Sequence, residues 1–331
     1  MKEIAVVILN WNGLELLKTF LPSVIEHSAL AQIYLADNGS TDTSVKWVKL
    51  NYPDVKIIEN QYNHGFAGGY NVALANVEEP YYALINSDIE VTENWLTPII
   101  ETFKNNERIA VIQPKIKDYN NKDYFEYAGA AGGFIDQLAY PFCRGRIFDT
   151  VEEDKGQYDT ETEIFWASGA CFFIKKEVYR ELGGFDEDFF AHQEEIDLCW
   201  RIQNQGFKIQ FCPSSTAYHL GGGTLSTSNT KKTFLNFRNS LSMLLKNAPK
   251  KQLLKLIFIR LVLDGLAGIR FILKGKPLHT IAIIKAHFAF YALYSKMKSK
   301  RTGKENHKYF KINNLPYSYF IKKQTKYSDL F

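Results

Sequence analysis

The run Ile4-Ala5-Val6-Val7-Ile8-Leu9 stops abruptly at Asn10-Trp11-Asn12-Gly13, and that junction decides how the first half of the chain is read. A short continuous apolar run closed by polar residues and glycine predicts a buried strand. The pattern recurs. Residues 33–36 run into Asp37-Asn38-Gly39-Ser40-Thr41-Asp42, residues 55–59 form a third such segment, and residues 81–85 run into Asn86-Ser87-Asp88. Between them 14–27, 44–51 and 69–77 read as helices, with Ser40 or Thr41 available to cap the second. Strands alternating with helices of this length predict an α/β fold with a parallel, doubly wound sheet. Ligands of such sheets sit beyond the carboxyl ends of the strands. The polar clusters at 10–12, 37–42 and 86–88 all fall there.

The chain has 331 residues, 46% of them hydrophobic, which excludes wholesale disorder and allows one large α/β domain or two modest ones. Its net charge of +4 hides an asymmetry. From residue 246 onward 19 Lys and Arg face three acids, a balance of +16, whereas the rest carries −12. Cys143, Cys171, Cys199 and Cys212 are widely spaced without a CxxC, which reads as free thiols in a reducing compartment rather than a disulfide or zinc framework. The first apolar run is too short for a signal peptide, and no charge-free stretch of about 18 apolar residues reads as a spanning helix. Within 253–273, Lys255, Arg260, Asp264 and Arg270 fall on one half of a helical wheel. This predicts an amphipathic helix, with another at 281–294.

Several clusters can carry chemistry. Asp88 follows an apolar strand, where a carboxylate either caps a turn or holds a hard divalent cation. Asp37 faces the same crevice, as a ligand contact or an Asx-turn. Residues 63–71 are Gly-rich and open a helix, so backbone can approach a ligand closely, although neither GxGxxG nor a Walker lysine is present. Glu194, Glu195 and Asp197 crowd a second helix start, as dipole partners or as a general base of raised proton affinity. His219 precedes Gly221-Gly222-Gly223, which reads as a loop able to fold over a bound group.

In this order, Val7-Ile8-Leu9-Asn10-Trp11-Asn12, Asp37-Asn38-Gly39-Ser40-Thr41-Asp42, residues 63–71, Leu84-Ile85-Asn86-Ser87-Asp88, Trp166-Ala167-Ser168-Gly169-Ala170, Glu194-Glu195-Ile196-Asp197-Leu198 and His219 resemble family 2 glycosyltransferases of the GT-A fold, in particular the bacterial rhamnosyltransferase-like branch. The resemblance covers roughly residues 3–225. It implies a GT-A catalytic domain at 1–225 and a helical, basic C-terminal region at 226–331. It further implies an inverting transferase that moves a sugar from a nucleotide-diphosphate donor to a lipid-linked or polysaccharide acceptor in cell-surface glycan synthesis, with rhamnosyl transfer among the candidates. Asn10, Asn12, Asp37, Asn38, Asn63, Gly65, Asn71, Asn86, Ser87 and Asp88 then face the nucleotide-sugar. Trp166, Ser168, Gly169 and Glu194 lie on the acceptor side, and Asp88 with His219 holds Mg2+ or Mn2+. Glu195 is the base, with Asp197 as fallback. Two departures stand out: Asn86 replaces the first acid of the DxD element, and Glu194-Glu195 replaces a Glu-Asp pair.

The basic tail and amphipathic segment predict an anionic membrane surface as partner rather than nucleic acid, with the protein peripheral on the cytoplasmic face. A homo-oligomer stays open. A sugar-phosphate nucleotidyltransferase is the second enzyme reading, but Asn10-Trp11-Asn12-Gly13 lacks the basic, Gly-rich turn it needs. A non-catalytic nucleotide-sugar binder is the third, and Asp88, Glu195 and His219 argue against it.

Overall fold

A computed structural model of the chain describes residues 2–221 and 229–331. The first half runs β1 (Ile4–Asn10), α1 (Leu14–His27), β2 (Ala31–Asp37), α2 (Ser44–Asn51), β3 (Lys56–Glu59), α3 (Gly65–Leu74) and β4 (Tyr81–Asn86). These strands pair in parallel in the order β3-β2-β1-β4. Side chains alternate across β1. Ala5 and Val7 enter one core with Tyr34 and Ala36, while Ile4, Val6 and Ile8 enter the other with Leu17 and Leu21 of α1. Both faces of the strand are covered, which is why its sequence reads as unbroken apolar rather than alternating.

Further along are β5 (Ile89–Val91), α4 (Thr97–Asn105), β6 (Ile109–Asp118), β7 (Gly133–Ile135), β8 (Pro141–Cys143), β9 (Arg146–Ile147), β10 (Thr150–Val151), β11 (Thr162–Ile164), β12 (Cys171–Lys175), α5 (Lys176–Glu181), α6 (Glu194–Asn204) and β13 (Lys208–His219). Strand β12 inserts antiparallel between β4 and β6, and β13 lies parallel to β6. The main sheet thus has nine strands and is mostly parallel, and β7–β10 form a separate small sheet. All four cysteines are buried free thiols.

Helix α3 begins at Gly65 rather than near residue 69, so the glycines lie inside its first turns. Gly65 has φ +75°, and a Cβ there would meet Phe190. A Cβ on Gly69 would stand 2.9 Å from Asn38 Nδ2 and 3.0 Å from Leu9 Cδ1. These glycines serve close packing of α3 on the sheet ends rather than the approach of backbone to a ligand.

Helices α7 (Thr230–Asn247), α8 (Leu253–Leu273) and α9 (Pro277–Ser299) close the chain with an irregular wrap. The expected boundary near residue 225 and the residues Gly222 and Gly223 lie outside the described residues. The C-terminal helices and wrap do not stand apart from the first half. Lys246 Nζ lies 2.7 Å from Asp186 Oδ2 and 2.8 Å from Asp197 Oδ2. Lys300 pairs with Asp186 and Asp188. Tyr309 stacks on Trp200 at 4.7 Å, and Leu315 N donates to the buried Asp136 carboxylate. Part of the basic excess therefore neutralises aspartates of the acidic body.

Helix α8 has the predicted bounds, but its charges are not all turned outward. Arg260 and Asp264 are buried, and Asp264 Oδ2 lies 3.1 Å from His287 Nε2 of α9. The side facing away from the protein is largely apolar. Among the described residues, no helix is long and apolar enough to cross a membrane.

Candidate functional site

The carboxyl ends of β1, β2 and β4 meet in one crevice, and side-chain hydrogen bonds lock their turns together. Asn10 is fully buried, and its Nδ2 donates to Asp37 Oδ1 at 3.0 Å and Ser44 Oγ at 3.0 Å. The second Asp37 oxygen accepts from Ser40 N. Asn12 has φ +51°, and its Oδ1 accepts from Thr41 N at 2.7 Å. Asn38 donates to Asn63 Oδ1 and Gly65 O and accepts from Asn60 and His64 N. Asn63 Oδ1 also accepts from Gly65 N. The structure thus gathers Asn10, Asn12, Asp37, Asn38, Asn63 and Gly65 into one network. Asn10 and Asn38 act from inside it, shaping the crevice rather than lining it.

Asn71 does not join them. Its Nδ2 donates to Phe185 O, and its Oδ1 accepts from Phe185 N and the Tyr179 hydroxyl. Both ends of the amide are spent on holding the 184–185 turn. The expectation that Asn71 contacts the nucleoside is corrected on that ground.

Asp88 is 5% exposed and turns toward β13. Its Oδ1 lies 3.2 Å from His219 Nε2, and the other ring nitrogen lies 3.1 Å from Glu126 Oε1. Burial alone would lower the proton affinity of His219. The charge of Glu126, then the bond to Asp88, outweighs burial and raises its pKa to about 10. Asn86 Nδ2 approaches the same ring at 3.5 Å. Ser87 flanks the turn, with its Oγ 3.6 Å from where a Cβ on Gly13 would stand. Glu126 belongs to no recognisable motif, so nothing in the sequence pointed to it.

Glu194 and Glu195 start α6 after a strained approach in which Phe190, His192 and Gln193 all have positive φ, between +64° and +73°. Such strain persists only where surrounding structure imposes it. The clamp here is α7. Asn239, 1% exposed, donates to Phe189 O, Ala191 O and His192 O at 2.7–3.0 Å, and Arg238 donates to Asp188 O and Phe189 O. One carboxylate oxygen of each glutamate is buried without a partner. Burial pushes Glu194 well above the ordinary carboxylate range and Glu195 up to about 7. Across the crevice, a Cβ on Gly169 would sit 3.9 Å from Glu195 Cβ. The next residue, Ala170, accepts Asn86 N through its carbonyl, so the Glu195 and Asp88 turns share a wall.

Asp197 is a different case. It is wholly buried, bonded to Arg201 Nε at 2.8 Å, Lys246 Nζ at 2.8 Å and Asn247 Nδ2 at 2.8 Å. Burial would raise its proton affinity, but Lys246 and Arg201 hold it below the ordinary value. A carboxylate so enclosed, wholly buried and held ionised by its cations, is out of reach of a substrate proton, which removes it as the fallback base. Trp166 and Ser168 are also corrected. The Trp166 indole is buried against Gly133 and donates to Phe134 O, and Ser168 bonds Gln113 and Ala170 N. Of the acceptor-side set, Gly169 stands against Glu195, and Glu194 is buried behind it at the start of α6.

Residues 5–183, more than half of the chain, match the family model described as glycosyl transferase family 2. The chain belongs to that family. It is similar to the N-acetylglucosaminyl-diphospho-decaprenol L-rhamnosyltransferase of Mycobacterium tuberculosis, 23% identical over 201 residues that cover 56% of this chain and 66% of that one. The match thus spans just under two thirds of the relative's length. Among solved structures, GalNAc-T7 with UDP, GalNAc and Mn2+ superposes with a TM-score of 0.59 at 19% identity, over 76% of this chain and 49% of that one. S. aureus TarS superposes at 0.57 and 15% identity, covering 90% and 83%. These are GT-A glycosyltransferases, and the likeness extends the shared fold beyond the family match. The chain thus carries its family's sheet, with the candidate site at the expected strand ends.

Proposed function

We propose that the chain is an inverting, cation-dependent glycosyltransferase that takes a sugar from a nucleotide-diphosphate donor and passes it to a lipid-linked or polysaccharide acceptor. The observation that carries this reading is the placement of two unlike groups on one wall. The Asp88–His219 pair stands at the ends of β4 and β13, and Glu195, with one carboxylate oxygen unpartnered and its proton affinity raised, stands beside Gly169.

The residues at Asp88 fit a divalent ion such as Mg2+ or Mn2+. Asp88 Oδ1 and His219 Nε2 lie 3.2 Å apart, the spacing of neighbouring ligands of an octahedral ion with bonds of about 2.1 Å, and a cation there would take the place of the proton that His219, with its raised pKa, holds on the ring. Glu126 on the far ring nitrogen gives the carboxylate support that metal-bound histidines ordinarily have. Among the described residues no three acidic, His or Cys side chains converge as a ready cage, so water and donor phosphate complete such a shell, as is usual for Mg2+. A bound cation offsets the charge that grows on the leaving diphosphate.

Glu195 takes the proton from the acceptor hydroxyl as that oxygen attacks the anomeric carbon. One in-line displacement inverts the centre. Burial makes Glu194 hold its proton more tightly than an ordinary carboxylate does. The Asp37–Asn38 network braces from within a rigid polar rim whose accessible members, Asn12 and Asn63, would face the nucleotide. The mycobacterial relative acts on a diphospho-polyprenol, which supports a lipid-linked acceptor and keeps rhamnosyl donors among the first to test.

The test is nucleotide-sugar hydrolysis and transfer across a donor panel, with Mg2+, with Mn2+ and with chelator. Wild type is expected to turn over at least one donor only with cation. Asp88→Ala is expected to lose that turnover while keeping a cooperative thermal transition, at a midpoint lowered by the loss of the buried partner of His219. Turnover by Asp88→Ala with full cation dependence would overturn the assignment.

A further inference from the structure

The α8–α9 hairpin is built inside out for a helix pair on a water-soluble surface. Its charged side chains that lack a solvent role are turned inward. Arg260 donates to Leu138 O and to Ser240 Oγ and stacks over Tyr140 at 3.9 Å, and Asp264 meets His287. On the opposite side of α8, Leu254, Phe258, Val262, Leu266, Ile269 and Leu273 are each at least half exposed. Helix α9 adds Leu278, Ile281, Ile284, Phe288 and Tyr291, exposed by 47–71%. Both rows follow helical spacing, so each is a continuous stripe. Such a patch on a soluble protein marks an interaction surface.

The charges around the patch say what covers it. Lys250, Lys251, Lys255, Lys274, Lys276 and Lys285 are exposed at its ends and edges, and the only acid on either helix, Asp264, is buried. A second copy docking through the same face would bring these lysines against their own kind. An anionic bilayer meets both features: acyl chains accept the apolar stripes, and lysines extend past them to phosphates. We propose that the exposed face of the α8–α9 hairpin embeds in the interfacial layer of an anionic membrane, lying in its plane without crossing it.

Lipid binding by this face requires none of the donor, cation or base assignments. Because α7 joins the hairpin to the 189–193 segment that leads into Glu195, an embedded hairpin holds the crevice at a fixed height above the lipid. Only solvent-facing side chains take part, so they can be changed without disturbing the core.

The experiment is co-sedimentation of the full-length protein with vesicles of phosphatidylcholine alone or mixed with phosphatidylglycerol, without sugar donor or cation. The double variant Phe258→Asp/Phe288→Asp is run alongside, with sedimentation velocity in the absence of lipid and thermal melting of both proteins. The expected result is a monomer that binds the mixed vesicles, retains part of that binding at high salt, and loses more than about tenfold in partitioning in the variant, at an unchanged melting midpoint. Absence of binding, equal binding by the variant, or a wild-type dimer that the variant dissociates would each overturn the proposal. Lost transfer activity with intact vesicle binding would fall on the functional reading instead.

Discussion

Glu195 and Asp197 lie two residues apart on one helix start, and the sequence offered Glu195 as the base with Asp197 as fallback. Their surroundings separate them. Asp197 is enclosed by Arg201, Lys246 and Asn247, whereas one Glu195 oxygen is buried with no partner. Glu195→Gln is expected to lower kcat by at least about a hundredfold, the usual contribution of a positioned base, with donor affinity nearly unchanged. The pH dependence comes from the same burial. A base raised to about 7 is protonated below that pH and idle, so kcat/KM should fall as pH drops through about 7 and level off above it. Full wild-type activity at about pH 5.5, roughly a unit and a half below that value, would rule out Glu195 as the base. Asp88, Glu195 and His219 are legible as candidates because each sits in a short local pattern. Glu126 could not be seen, because its role exists only once the fold sets it against His219, a residue distant from it in the chain.

At the scale of elements, α7 does two jobs that its sequence does not announce. Asn239 holds three carbonyls of the strained 189–193 segment. Asn239→Ala takes that partner from Ala191 O and His192 O, while Phe189 O keeps Arg238, at a cost of about 1–3 kcal/mol, and lets the Glu195 turn relax. The expected result is a drop in kcat of about tenfold or more at similar donor KM, measured beside the melting midpoint. Comparable losses in kcat/KM through KM alone would point to a general loosening instead. Lys246, 6% exposed, lies between Asp186 and Asp197. Lys246→Met leaves buried aspartates with reduced compensation and is expected to cost about 3 kcal/mol, read by urea unfolding. Burial works against Asp186, yet Lys246 and Lys300 lower its pKa to about 2. A depressed carboxylate stabilises the fold above its unfolded value near 4 and loses that contribution as pH falls toward about 2. Acid unfolding should therefore steepen between about pH 4 and 2 in wild type and begin at higher pH in Lys246→Met.

Across the whole molecule the chain behaves as one body rather than a catalytic unit with a detachable tail. Tyr309 against Trp200, Leu315 on Asp136 and Lys246 on Asp197 place residues from 246 onward in the main core. A chain ending at Lys246 is expected to lose its cooperative thermal transition, followed by circular dichroism, and with it transfer activity. A truncated protein that melts like the full chain would show the wrap to be dispensable. The alternating strands and helices, the strand-end clusters and the family motifs were legible in the linear chain, because each depends on residues close together in it. Even the bounds of α8 were legible, since periodicity over 21 residues is a strong local signal. Which way that helix faces was settled by long-range packing alone. A helical wheel separates its polar half from its apolar half, but it cannot say that Arg260 and Asp264 find buried partners in Ser240, Tyr140 and His287. Those partners offset the cost of burying charge, and so the apolar half is the one left facing outward.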